Sequence, residues 1–538
     1  MIIFMLFLGL TSFVTVLELI VKQYYGWEPF FLWVFAIFIF IKIAFKIFPS
    51  PASSLRNLPL FKLDPILWLI IFVVLGFRLI LLTNVNNGYF HGDEAVISKN
   101  ALDALELGLK NGQWKLFGSF GGTISRFPAL YYYLQGSIIK IFGPSVLSLK
   151  LFSLVTDLGI IFIIYQIMIV FFSRQFSLVT ALIYSSLPVA IHFSLTGYQN
   201  IQSTFFLLLT LFLLIKAKNN HNFRLAFISG LICGLGMYFY LSSVINPLTA
   251  ILFSLFVSFS FIPVFLAGFL ITSGPFLVYS IFEYNFISGR SSAYDFWFSQ
   301  NSPLEFLVLQ AQKFFNGFYF QPMNGSGSFY VNLPAIPNLI VLIFFLLGLI
   351  WLIFNLKKPF SLFLFFIFIL TSVFGGLLTV NPPAPQRLIH LFPVIAIIIS
   401  LGIHLLSRVF RHRILVYFLS VIVVVVNIKS FLTQNLPIYR SLRRNEYLVS
   451  QMLQNKSIAL FTQIPIHKNP QLYFYSFGKI SPIPASQLDI FPQILGTSTD
   501  NRTSFYFLTD DVLLVQDPAY KLISEWPDEP KLFLFKKI

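Results

Sequence analysis

Thirteen apolar runs, each roughly 17–25 residues long, constrain this 538-residue chain more than any other feature. They lie near 2–22, 29–48, 64–83, 146–171, 176–194, 200–217, 224–241, 244–259, 261–281, 337–356, 360–380, 387–407 and 413–431. A run of that length in hydrocarbon must satisfy its backbone polar groups internally, so it has to be a helix. The expectation is an all-α polytopic membrane protein with about thirteen spans over residues 1–432. With 57% hydrophobic and 10% charged residues, the chain is too apolar for a soluble globule.

The formal charge of +16 does not indicate nucleic acid as a partner. Residues 1–432 hold 25 Lys and Arg against 11 Asp and Glu, and these cations sit in short loops between apolar runs, where positive charge sets topology. With a cytoplasmic N-terminus, the inner side receives Lys46, Arg56 and Lys62, then Arg174, then Lys216, Lys218 and Arg224. It also receives Lys357, Lys358, Arg408, Arg411 and Arg413. The outer side receives two long loops, 84–145 and 282–336, the Asn381-Pro-Pro-Ala-Pro-Gln turn and the C-terminal tail. This alternation requires that Arg126 to Phe142 not span. That segment is short, opens with Phe127-Pro128 and carries the triplet Tyr131-Tyr132-Tyr133, which suits an interfacial helix on the outer face.

Met1 opens an apolar run without a basic stretch or a small-residue cleavage site, so the first helix is expected to stay. Cys233 is the one cysteine, which leaves disulfides no role. From Thr433 the pattern changes to short alternating runs around 457–464, 471–477, 504–510 and 531–537. They predict a small α/β domain over 433–538, outside the membrane.

The longest polar interval of the first half is Tyr89 to Arg126, which holds Asp93, Glu94, Asp103 and Glu106, four of the chain's 20 acidic residues. A helical pattern follows from Ala95 to Leu109. A carboxylate just outside a membrane helix can act as a general base toward an acceptor hydroxyl. The pair Asp93-Glu94 equally suits a solvated helix N-terminus, where acids complement the macrodipole. Arg387 follows the proline-rich turn at the outer end of a span, as a fork for a lipid phosphate or as an arginine snorkelling to headgroups. His390 lies one turn further on, as an assisting group or a packed polar residue. Asp157 is mid-span, either functional or structural, and there it is neutral and hydrogen-bonded or loosely paired with Lys150. Arg126 and Lys99 are outer cations near Asp93 that either meet a phosphate or solvate the loop. The seven His show no metal-ligand spacing, and no glycine-rich nucleotide loop opens a soluble βαβ unit.

His91-Gly92-Asp93-Glu94-Ala95, then Pro128-Ala129-Leu130-Tyr131-Tyr132-Tyr133 and Phe142-Gly143, resemble the first outer loop of the protein O-mannosyltransferase-like family, glycosyltransferase family 39. Residues 192–200 (HFSLTGYQN), 234–248 and 382–403 continue the resemblance in the same order. It implies the C-type glycosyltransferase fold, a polyprenyl-phosphate sugar donor and an outer-side acceptor hydroxyl on a protein, glycolipid or polysaccharide. Asp93 is implied as catalytic base with Glu94 as its neighbour. Arg387, with Lys150 and Arg126, falls to the donor phosphate, and His91, Asn200, Tyr198, His390 and Tyr240 to substrate contact. The chain departs from the family where an Arg often follows the HFS stretch (Leu195 here) and where a second acid occurs (Gln199 and Asn200 here). No cofactor is expected. C-type enzymes divide into metal-dependent and metal-independent members, so a divalent cation such as Mg or Mn stays open. The expected activity is hexosyl or pentosyl transfer in the plasma (inner) membrane. A lipid-linked sugar transporter or a catalytically degenerate binding member is the alternative. The crowding of acids at one surface favours the enzyme.

Overall fold

The computed structural model describes residues 2–24, 26–48, 64–85, 92–120, 127–143, 145–282, 302–323, 332–378 and 382–436. Beyond these it describes five strands between Ile458 and Lys537. All thirteen apolar runs are helical. In chain order they are α1 (Ile2–Val21), α2 (Glu28–Ile47), α3 (Pro65–Val85), α6 (Val146–Phe171) and a bent pair, α7 (Arg174–Ser186) with α8 (Pro188–Ser194). Then come α9 (Asn200–Asn219), α10 (Phe223–Gly236), α11 (Ile245–Val257) and α12 (Phe261–Phe282). The last four are α14 (Leu339–Phe354), α15 (Pro359–Thr371), α16 (Leu391–Val409) and α17 (Arg413–Ser430). Among the described residues nine of these helices are long and apolar enough to cross a membrane, and the bent pair makes a tenth. The segments near 224–241, 244–259 and 337–356 are shorter apolar helices than the sequence suggests.

Two helices lie between α3 and α6: α4 (Gly92–Asn111) and α5 (Ala129–Phe142), joined through the two-residue strands β1 (Ser119–Phe120) and β2 (Phe127–Pro128). Their apolarity is too low or their length too short to span, and α5 buries Tyr131, Tyr132 and Tyr133 against the bundle. They pack on each other, and Gly136 of α5 sits against the Ala101 carbonyl of α4. Helix α13 (Pro303–Phe315) lies in the second long loop.

Starts and stops follow local chemistry. Ser145 and Ser148 form a reciprocal capping box at the head of α6. Asn222 caps α10 through the Arg224 and Leu225 amides, and Asn338 caps α14. Pro188 has no N–H to continue the ladder, and α7 and α8 meet there at 66°.

Between spans, close approach depends on small residues, because lipid supplies no hydrophobic drive for helix association. A β-carbon on Gly230 of α10 would strike the Phe265 carbonyl of α12, and one on Gly268 would strike the Phe227 carbonyl. Gly348 of α14 and Gly402 of α16 interlock in the same reciprocal way with Ile398 and Phe344. Helices α9 and α16 form the centre: 78% and 72% of their most apolar stretches are buried, against 17% for α1 at the periphery.

In the C-terminal segment the strands are β3 (Ile458–Thr462), β4 (Ile480–Pro482), β5 (Ser504–Thr509), β6 (Tyr520–Trp526) and β7 (Leu532–Lys537). They form one mixed sheet, ordered β4-β3-β5-β7-β6, parallel from β4 to β5 and antiparallel beyond. The expected strand at 471–477 and the expected helical start at Tyr439–Glu446 lie outside the described residues.

Candidate active site

Three segments converge at one end of the bundle: the first turn of α4, the turn from Leu195 to Gln199 between α8 and α9, and the loop from Pro382 to His390 ahead of α16. Hydrogen bonds tie them together. Glu94, one residue into α4 after Asp93, is fully buried, and its carboxylate accepts the Gly197 amide N–H. Tyr131 of α5 donates to the Gly197 carbonyl at 3.0 Å. The Ser153 hydroxyl of α6 donates to the Tyr198 carbonyl at 3.0 Å. Gly197 has no room for a side chain, since a β-carbon would meet Leu149. Gly197 is therefore held through both of its backbone polar groups.

From there the network runs to the proline-rich loop. Asn200, the first residue of α9, donates from Nδ2 to the Gln386 carbonyl at 3.4 Å. One turn along α9, Ser203 and Thr204 hydroxyls lie 3.2 and 3.1 Å from the two ring nitrogens of His390. Ser203 also accepts from Ser243 at 2.7 Å, which brings in the 3₁₀ turn Leu241–Val244 after Tyr240. The Arg387 carbonyl packs where a β-carbon on Gly375 would be. Asn200 Oδ1 and Gln386 Oε1 are buried with no partner among the described residues. An unsatisfied buried amide oxygen beside Arg387 is a free acceptor at the centre of the convergence.

Most of the residues singled out in the sequence fall on this network. Lys150 is fully buried on α6 and interacts electrostatically with Glu94. Tyr198, Asn200 and His390 are buried within it, and Arg387 is half-buried at its edge. Tyr240 is buried against Phe127, ring centroids 6.0 Å apart. Asp93 belongs to the first turn of α4, and its side chain, like His91 and Arg126, lies outside what the structure describes. Glu94 departs from the picture of a carboxylate at a solvent-facing mouth. It faces inward, because the buried Gly197 amide needs an acceptor there. Lys99 turns to Asp103 on its own helix at 2.6 Å.

Asp157 pairs with Arg78 of α3, not with Lys150, at 3.4 Å, both fully buried. Sequence reasoning overlooked Arg78 because it sits in the middle of an apolar run. Its Nη2 donates to the Ser185 carbonyl at 2.7 Å. That carbonyl belongs to the last turn of α7, whose ladder the Leu187-Pro188 bend interrupts. The guanidinium thus caps α7 inside the membrane, where a cation also complements the helix C-terminus. The informative signal was a lone Arg in a span, which hydrocarbon tolerates only when it is partnered.

Residues 127–279 match the family model for dolichyl-phosphate-mannose-protein mannosyltransferase. The chain is similar to the ArnT structure from Cupriavidus metallidurans in the apo state. The TM-score is 0.53 at 11% identity, covering 88% of this chain and 98% of that one. The chain has the C-type glycosyltransferase fold. A second ArnT structure from the same organism, bound to undecaprenyl phosphate, aligns with a TM-score of 0.50 at 11% identity over 88% of this chain and 99% of that one. Among curated proteins no sequence matches this chain. The resemblance to the protein O-mannosyltransferase-like membrane glycosyltransferases therefore holds, on fold and on family signature. The matched residues include the motifs at 128–133, 192–200 and 234–248, while His91–Ala95 and 382–403 lie outside them.

Proposed function

We propose that this chain transfers a monosaccharide from a polyprenyl-phosphate donor to an acceptor hydroxyl at the outer face of the membrane. One observation carries the reading: α4 after Asp93, the 195–200 turn and the Arg387 loop are hydrogen-bonded into one unit at a single end of the bundle. This supports the reading, because the segments that carry Asp93 and Arg387 meet beside the unpartnered Asn200 and Gln386 amide oxygens. Asp93 takes the proton from the acceptor hydroxyl, whose oxygen forms a bond to the anomeric carbon as the bond to the phosphate oxygen breaks. The polyprenyl phosphate leaves with its charge held by Arg387, and a single displacement inverts the anomeric centre. Glu94 and Lys150 act one layer back, as a buried pair that fixes the turn carrying Tyr198 and Asn200. The relatives' family signature and the undecaprenyl phosphate bound to ArnT support the donor class. Acidic groups on the 89–126 loop and the distribution of Lys and Arg support an outer-facing site and a cytoplasmic N-terminus.

The test uses full-length protein in proteoliposomes with labelled polyprenyl-phosphate sugars and membrane extract as acceptor. Wild-type transfer should fall by about 10²–10⁴-fold in Asp93→Asn with folding preserved. Transfer that survives intact in Asp93→Asn removes it as the base. Arg387→Gln should lower kcat and kcat/KM for the donor, as expected for a group that holds charge developing on the leaving phosphate.

A further inference from the structure

Helices α9 and α16 both begin at the candidate site and end at a second cavity, roughly 25–30 Å away along α9. This cavity measures about 400 Å³, within the range of small-ligand sites. Its polar lining is Lys218 at the end of α9, Lys358 and Ser361 at the head of α15, and His404 and Arg408 on the last turns of α16. No carboxylate lines it, and none of its three permanent cations is ion-paired among the described residues. Three like charges around one cavity repel, an arrangement completed only by an anion.

Two further observations point inward. Ser361 is 1% exposed, and its hydroxyl has no partner among the described residues. It lies in the first turn of α15, whose N-cap residue, Lys358, makes no side-chain cap and whose next residue is Pro359. The amides of Phe360 and Ser361 therefore have no acceptor within the helix, and a helix N-terminus with free amides favours a phosphate. The walls are apolar. Phe360 packs on Phe171 and Phe172, at 4.4 and 5.5 Å between ring centroids, and the Lys358 ammonium stands 5.5 Å over Trp351.

We infer that this cavity is a phosphate-binding site for the headgroup of an anionic membrane lipid, at the end of the bundle opposite the candidate active site. Lys218, Lys358 and Arg408 neutralise the phosphate, Ser361 and the α15 amides hydrogen-bond it, and the aromatic walls receive the glycerol and first methylenes. The same phosphate chemistry can come from a soluble anion, and the aromatic walls favour the lipid.

Full-length protein in detergent would be titrated with phosphatidylglycerol, phosphatidylcholine or inorganic phosphate, with thermal unfolding and native mass spectrometry as readouts. Phosphatidylglycerol should raise Tm by several degrees and stay bound in the gas phase, whereas phosphatidylcholine does neither. Lys358→Gln/Arg408→Gln should weaken the phosphatidylglycerol response at least tenfold, and Lys357→Gln/Arg411→Gln, of equal charge change outside the cavity, should leave it intact. Ser361→Ala removes a donor without changing charge and should weaken the response about threefold, which keeps the test available if the double variant folds poorly. A shift produced equally by millimolar inorganic phosphate and lost in the double variant sustains the phosphate site but assigns it to a soluble anion. Equal responses to the two lipids with none to phosphate, or a phosphatidylglycerol response that survives in Lys358→Gln/Arg408→Gln, overturns the inference.

Discussion

Asp64 and Glu94 are buried carboxylates at opposite ends of the same helix bundle, and they are used in opposite ways. Asp64, just before α3, is gripped by Arg174 of α7 at 2.5 and 2.7 Å and accepts the Tyr165 hydroxyl of α6 at 2.7 Å. It stitches three helix ends with charge against charge. Glu94, with the buried Lys150 as its counter-charge, puts its carboxylate on a backbone amide, so that the charge holds a turn in place. Between them, in the middle of the bundle, Arg78 and Asp157 combine both modes: an ion pair that also caps a broken helix. The difference teaches where rigidity is needed. A helix end can be pinned by any strong pair, but a turn that presents Tyr198 and Asn200 must be held by its own peptide groups.

The comparison breaks most sharply at the middle pair. Arg78→Met leaves Asp157 buried and uncompensated and should cost about 3–5 kcal/mol, read as a large loss of Tm and of folded yield in detergent. Arg78→Met/Asp157→Leu should recover most of that loss, because no buried charge then remains. A double variant as unstable as the single one would mean that the cap on Ser185 matters more than the charge.

Next comes Glu94. Glu94→Ala orphans the Gly197 amide and should cost about 1–3 kcal/mol. Glu94→Gln keeps an acceptor oxygen for the Gly197 amide but takes the counter-charge from the buried Lys150, so it should recover only part of the stability. If Glu94 positions the turn, Glu94→Gln retains most of the sugar transfer that Asp93→Asn abolishes. Equal collapse of transfer in both variants would move Glu94 from positioning into the chemistry.

The smallest effect belongs to Asp64. Arg174, foremost, and then the Tyr165 and Ile66 hydrogen bonds hold its carboxyl well below the ordinary value of 3.8, against the opposing pull of burial. A carboxyl with a depressed folded pKa contributes stability above the unfolded value and loses it as pH falls through the folded one. Wild type should therefore lose more Tm than Arg174→Gln when the pH is lowered below about 4. The gap should be modest, because Arg174 is more than half exposed and water screens the pair. Parallel acid profiles would show that the pair contributes nothing measurable.

Much of this was legible in the chain. Apolar runs of spanning length yielded the helices, because hydrocarbon leaves the backbone no other way to satisfy its N–H and C=O groups. The shortness of 126–142 and its opening Phe127-Pro128 marked α5 as a helix that does not span, and the ordered motifs marked the fold and the segments of the candidate site. Charge placement also separated the two ends of the bundle: acids and the proline-rich turn at one, Lys218, Lys358 and Arg408 at the other.

Tertiary structure alone decided which groups meet. Glu94 and Gly197 are 103 residues apart in sequence, and Arg78 and Asp157 are 79 apart. No local period encodes such pairings, because a partner is chosen by which helices pack and how they cross. The inward turn of Glu94, the capping role of Arg78 and the cavity where α9, α15 and α16 meet all depend on that packing. Sequence set which segments enter the membrane, since transfer from water is a property of each segment. Packing set what their few polar residues do, since a buried polar group is defined by the partner it finds.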